Sequence, residues 1–155
     1  MAEFWQVLKK RHCVREFNSE REVDDDLIEK LVEAGHRGPS AGNIHPEDFI
    51  VIRDQETKEK LAEAALGQMF IAEAPVVIVV IADLEKTGAR YGERGRNLYA
   101  IQDAAAATEN IFLAATDLGL SMCWVGAFDE KQVQKILKLQ PEQRPLAILP
   151  IGYQK

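Results

Sequence analysis

Pro75-Val76-Val77-Ile78-Val79-Val80-Ile81-Ala82 is the longest apolar run in the chain, and it decides which kind of fold to expect. It shows no polar alternation and is rich in β-branched valine and isoleucine, as suits a strand covered on both faces. Such a strand needs a layer above it and another below, so helices are expected on each side of a sheet. The run is far shorter than the ~18 apolar residues that suggest a membrane span.

On its N-terminal side, Phe49-Ile50-Val51-Ile52 reads as a second strand and Gln55 to Leu66 as a helix between the two. Further upstream, Glu3 to about Lys10 forms a short first helix, with Phe4, Val7, Leu8 and Arg11 on one face. Asp24 is expected to cap a second helix whose stripe is Leu27, Ile28, Leu31 and Val32, with Gly35 as its stop. Between them and the second strand, His36 to Asp48 carries two glycines, two prolines, Ser40 and Asn43, which is the chemistry of a long loop.

On the C-terminal side, Asp83 to Arg96 is rich in glycine and charge and is expected to be a mobile loop. Leu98, Ile101, Ala105, Thr108, Phe112, Ala115 and Leu118 then recur at helical spacing until Gly119. The small side chains Ala104 to Ala107 permit close approach of another helix, in the core or at a subunit interface. Leu120 to Val125 reads as a short strand, Asp129 caps a helix to Lys138, and Pro145 to Tyr153 is a last strand. Helices and strands interleave without a linker or repeat, so residues 1–155 are read as one layered α/β or α+β domain.

The composition is that of a folded soluble chain: 155 residues, 46% hydrophobic and 28% charged. A net charge of -6 speaks against general nucleic-acid binding, which needs a basic surface. Cys13 and Cys123 lie far apart in sequence and in no metal-ligand spacing, and are read as free thiols of a reducing cytoplasm. Met1 to Val7 contains no basic stretch followed by an apolar core, so no signal peptide is expected.

Common catalytic signatures are missing. There is no G-x-x-x-x-G-K-[ST], no G-x-G-x-x-G after a strand and no G-x-S-x-G elbow. His12, His36 and His45 fall in segments read as irregular, with no carboxylates at ligand spacing, so no metal site is expected. Neither cysteine has an evident paired base. Arg90, Arg94 and Arg96 read as a solvated loop, a cofactor 2′-phosphate being the alternative.

Three segments carry more chemistry. Arg11-His12-Cys13-Val14-Arg15 sets two guanidiniums and an imidazole where they could meet a dianionic phosphate; a solvated basic turn is the alternative. Gly38-Pro39-Ser40-Ala41-Gly42-Asn43-Ile44-His45-Pro46 lets backbone approach a flat ligand at Gly42, with Ser40 and Asn43 as neutral partners, or is an ordinary connection. Gly119-Leu120-Ser121-Met122-Cys123-Trp124-Val125-Gly126-Ala127-Phe128 is an apolar segment ending at a glycine. It can set a backbone N–H against a ring edge while its side chains exclude water.

In this order, the three segments resemble the nitroreductase family, whose members show R-x-S-x-R, then P-S-x-x-N-x-Q-P-W-x-F, then a long Ala-rich helix and G-L-x-x-x-W-x-G-x-F. Pro145 to Tyr153 is similar to the family's last core strand, so the resemblance runs from about Trp5 to Tyr153. It implies an α+β nitroreductase-like fold, a mixed central β-sheet flanked by helices, dimeric, with two FMN sites between the subunits. Arg11, His12 and Cys13 would match phosphate-binding positions, and Arg15 would lie near the pyrimidine edge of the flavin. Pro39, Ser40 and Asn43 would come from the partner subunit, and Gln68 would hydrogen-bond to the ring. Val125 and Gly126 would lie by the reactive N5, with Trp124 beside them.

The implied activity is an FMN-dependent oxidoreductase in two steps. NADH or NADPH reduces FMN and leaves, and a nitroaromatic, quinone or flavin-type acceptor then takes the electrons from the same face. Hydride transfer needs stacking and access more than an acid or base, which accords with the absent dyad. A flavin carrier or sensor without turnover is the alternative, and a plain interaction domain a third. The chain departs from the family at Cys13, where serine is usual, and at His45-Pro46-Glu47-Asp48, which removes an aromatic wall. Where the family has a tail with Lys or Arg, Tyr153 is followed here only by Gln154 and Lys155, so either such a tail lies outside this sequence or the phosphate is held with fewer charges.

Overall fold

The computed structural model describes residues 3–155. Met1 and Ala2, with which the leader reading begins, lie outside the described residues. The apolar run is the strand β2 (Val76–Asp83), between β1 (Glu47–Ile52) and β4 (Gln143–Gly152); β3 (Ser121–Met122) completes the order β1-β2-β4-β3. Every ladder is antiparallel, and the parallel element of the expected mixed sheet is one isolated bridge between Cys13 and Met122.

Alternation along β2 builds both layers. Val76, Ile78, Val80 and Ala82 pack with Ile28 and Leu31 of α2 (Asp25–His36) and with Ala104, Ile111 and Ala115 of α6 (Ala100–Asp117). Val77, Val79 and Ile81 pack on the other face with Leu61 and Ala62 of α3 (Gln55–Ala64) and Val133 of α7 (Glu130–Ile136). All seven residues from Val76 to Ala82 are buried, as a run without alternation requires. The first helix, α1 (Phe4–Lys10), buries Val7 and leaves Phe4 and Trp5 exposed.

Three expectations need correction. Asp83 to Arg96 is helical, not a mobile loop: α4 (Phe70–Glu73) precedes β2, and α5 (Leu84–Arg94) follows it directly. The Asp83 carboxylate caps α5 by accepting from Lys86 N–H at 3.0 Å, and Arg96 pairs back to Glu85. Gly92, at φ 59, turns the chain within this segment, and a π-helical turn (Gly95–Tyr99) leads into α6. Gly35 does not stop α2, which runs on to His36. It is a glycine because Phe49 lies against the helix: a Cβ there would stand 2.5 Å from Phe49 Cζ. The Asp24 side chain makes no capping hydrogen bond, whereas Asp129 caps α7 through Gln132 N–H.

Candidate functional site

The first and third segments meet at the β3 edge of the sheet. Cys13 bridges Met122, and Val14 N–H donates to Met122 O at 3.0 Å, so the basic segment runs beside the apolar one. The Arg11 guanidinium lies 4.9 Å from the centre of the Phe112 ring on α6, with Nε 3.7 Å from Glu109 Oε1. His12 is exposed and its Nδ1 faces Lys10 O at 2.7 Å, which leaves Nε2 outward. Arg15 is exposed, and its charge reaches Cys123. A cavity of about 460 Å³ opens alongside, lined among others by Lys9, Lys10, His12 and Ser121.

Beyond β3, Val125 re-enters the sheet by exchanging hydrogen bonds with Ile148 at 3.0 and 2.9 Å. That pairing pins the strand up to Val125 and leaves Gly126 exposed, its amide without a backbone hydrogen bond among the described residues. The side chain of Trp124 is half-buried beside it; a Cβ on Gly126 would meet nothing nearer than Trp124 Nε1 at 4.0 Å. Gln68 donates from Nε2 to Ala65 O at 2.9 Å and faces Ala127 O at 3.4 Å, which holds it next to this tip. Arg11, His12, Cys13, Arg15, Gln68, Trp124, Val125 and Gly126 therefore lie along one edge.

Pro39, Ser40 and Asn43 do not join them. Their loop docks on the start of α6, where the Asp103 carboxylate accepts from Ala41 N–H at 3.1 Å, while Arg11 lies at Glu109 and Phe112 of the same helix. Nine residues of helix between Asp103 and Phe112 correspond to roughly 14 Å. Gly42 (φ 60), Asn43 (φ 57) and His45 (φ 53) give this loop three left-handed residues. Burial holds the Asp103 carboxyl above its ordinary range, against the lowering effect of Ala41 N–H.

Three details escaped the sequence reading. The two cysteines, distant in sequence, come within electrostatic reach of each other, and burial first, then Cys13, pushes the Cys123 thiol up to about 12. The histidines are not isolated from carboxylates: His36 ends α2, and its Nδ1 lies 3.5 Å from Glu47 Oε1, while His45 Nδ1 lies 2.9 Å from the same atom. Only the His45-x-Glu47 spacing could have hinted at this. The arginines read as a solvated loop are tied down, Arg94 to Tyr99 Oη at 2.9 Å and Arg96 to Glu85. Among the described residues, no three His, Cys, Asp or Glu side chains are grouped to hold a metal ion, and no helix is long and apolar enough to cross a membrane.

Residues 8–73 and 67–153 match the profile described as the Nitroreductase family. An Archaeoglobus fulgidus protein with the provisional name NADH dehydrogenase/NAD(P)H nitroreductase is 35% identical over 160 residues, an alignment covering 100% of this chain and 87% of the relative. The crystal structure of a nitroreductase family protein from Clostridium novyi NT superposes with a TM-score of 0.90 at 31% identity, covering 99% of this chain and 86% of that one. An FMN-dependent nitroreductase from Clostridium difficile superposes with a TM-score of 0.84 at 29% identity, covering 96% and 86%. The likeness takes in the sheet, both helical layers and all three segments, and the chain belongs to the nitroreductase family.

Proposed function

We propose that this protein is an FMN-dependent oxidoreductase that draws on NADH or NADPH and works as a homodimer with the flavin between its subunits. One observation carries the reading: the Val14–Met122 seam brings the basic segment, the exposed Gly126 amide and Gln68 to one edge. That donor set fits FMN, which needs cations for a dianionic phosphate and N–H groups for the acceptor atoms of its ring. Bound FMN would supply a ring able to accept a hydride and pass electrons on.

The side chains would divide the work. Arg11 and His12 would hold the phosphate, with the Cys13 thiol a weaker donor than a hydroxyl. A fixed Arg15 near the pyrimidine edge would stabilise negative charge developing there and raise the reduction potential. The Gly126 N–H and Gln68 would donate to the ring, while Trp124 and Val125 keep water off it. Pro39, Ser40 and Asn43, some 14 Å along α6 from Arg11, would reach the flavin of the other subunit. Phe4 (63% exposed) and Trp5 (70% exposed) supply apolar surface for a subunit interface. The acceptor is a nitroaromatic, quinone or flavin-type compound, reduced in a second step after the nicotinamide has left. The thiols accord with a reducing cytoplasm.

The test is an absorbance spectrum of the purified protein before and after FMN and then NADH under anaerobic conditions. Flavin bands that bleach on NADH support the proposal. Bands that persist after NADH and then NADPH identify a carrier or sensor, and a protein that ignores FMN refutes the reading.

A further inference from the structure

Glu47 is the most deeply buried carboxylate beside the Pro39–Asn43 segment, with its side chain 2% exposed, and it does not stand alone. Its Oε1 lies 2.9 Å from His45 Nδ1, and the other ring nitrogen, Nε2, lies 2.9 Å from Asn43 Oδ1. The backbone of His45 is clamped at both ends: its N–H donates to Ser40 Oγ at 3.0 Å, and its carbonyl accepts from Lys86 Nζ at 2.7 Å. With φ at 53 and the ring seated on the carboxylate, the imidazole has little freedom to swing away.

We infer that His45 and Glu47 are positioning residues for Asn43, the proton on His45 Nε2 deciding which end of the Asn43 amide faces outward. Glu47 accepts from Nδ1–H whether the ring is charged or neutral, because a carboxylate can only accept. Nε2 is therefore the variable atom. In the charged ring it donates, and its partner is Asn43 Oδ1, as the structure has it; the amide NH₂ then points outward as a donor. In the neutral ring Nε2 accepts, so the NH₂ must turn inward and the carbonyl oxygen faces out. Asn43 is exposed, so no packing within this chain opposes that half-turn.

Other charges bear on the ring from every packed element. His36 at the end of α2 shares Glu47, Lys86 on α5 holds the His45 carbonyl, and the Asp103 carboxyl on α6 feels both His45 and Glu47. Asp48 and Asp83 line a cavity of about 360 Å³ together with His36, His45 and Glu47.

The consequence for FMN rests on the function proposed above; the coupling of ring to amide does not. An outward NH₂ suits a flavin carbonyl oxygen, and an outward carbonyl oxygen does not. The first experiment uses ligand-free, ¹⁵N-labelled full-length protein and follows the His45 ring and the Asn43 NH₂ by NMR from about pH 5.5 to about 8.5, the span in which histidine titrates. The Asn43 NH₂ signals should move with the His45 transition, keep that transition in His36→Gln, and stay still in His45→Gln. Asn43 signals indifferent to the His45 transition overturn the inference.

The second experiment measures FMN dissociation constants over the same range. Relative to His45→Gln, the wild type should weaken by about tenfold as pH rises, the effect of one matched hydrogen bond becoming mismatched. Curves for the two proteins that run parallel overturn the link to the ligand. Failure of every variant to bind FMN refutes the function instead, while the NMR result still judges the coupling.

Discussion

Gly126→Ala separates ligand approach from folding with one methyl group. At Gly126 the backbone φ lies outside the left-handed region, and an added Cβ meets only Trp124 Nε1, at 4.0 Å, so the folded state accommodates alanine without strain. Alanine also narrows the unfolded ensemble, which is worth about 0.4–1 kcal/mol in favour of folding. For a chain of this size that raises Tm by roughly 1–3 °C. The ligand experiences the opposite. A Cβ beside the free amide holds a flat ring away from the N–H, and a lost hydrogen bond with imperfect contact costs about 1–2 kcal/mol. That corresponds to about 5–30-fold in the FMN dissociation constant. Flavin fluorescence titration and thermal unfolding without FMN measure the two effects separately. An FMN affinity within about twofold of wild type would refute the idea that backbone approaches the ring here. A Tm drop of more than about 4 °C would show that the glycine serves the fold. Gly152→Ala is the contrast, since its Cβ would stand 2.6 Å from Pro75 Cδ in the core; it should lose about 1–3 kcal/mol by overpacking.

Trp5→Glu places a charge on the exposed apolar end of α1 and should shift the proposed dimer to monomer in analytical ultracentrifugation, with FMN retention falling in parallel. A variant that stays dimeric removes α1 from the interface. With its thiol buried and pushed up to about 12, Cys123 should resist maleimide in the native protein, while the less buried Cys13 is labelled first; peptide mass spectrometry after a timed quench decides. Asp103, raised by burial from its ordinary 3.8, contributes stability that is full below that value and lost as pH rises through the folded-state value. Asp103→Asn should therefore hold or raise Tm at pH 7 and flatten the acid-side dependence in melts at about pH 4 and about pH 7. Asp103→Ala, which orphans the Ala41 N–H, should cost about 1–3 kcal/mol.

The parts of this fold legible in the chain are those whose signal is local. The Pro75–Ala82 run announced a strand covered on both faces because burial of both faces leaves no polar alternation, and α6 showed itself by its 3.6-residue stripe. Asp129 was readable as a cap because its partner, Gln132 N–H, lies three residues on. Asp83–Arg96 resembles a loop in sequence because its glycines and charges are common to loops, whereas its order comes from the Arg96–Glu85 pair across the kink at Gly92. Gly35 looked like a helix stop because nothing local reveals Phe49 pressed against it.

For the candidate site, the sequence alone determined which residue types were present and in what order: a basic segment, a glycine-bearing loop and an apolar segment ending at Gly126. Only the tertiary structure decided which of them meet. The β3 edge joins Cys13 to Met122 and its neighbour Cys123, β1 carries Glu47 between His36 and His45, and α6 keeps Asn43 apart from Arg11. The physical reason is range: propensity, capping and periodicity act over a few residues, whereas contact between distant segments depends on how sheet and helices pack.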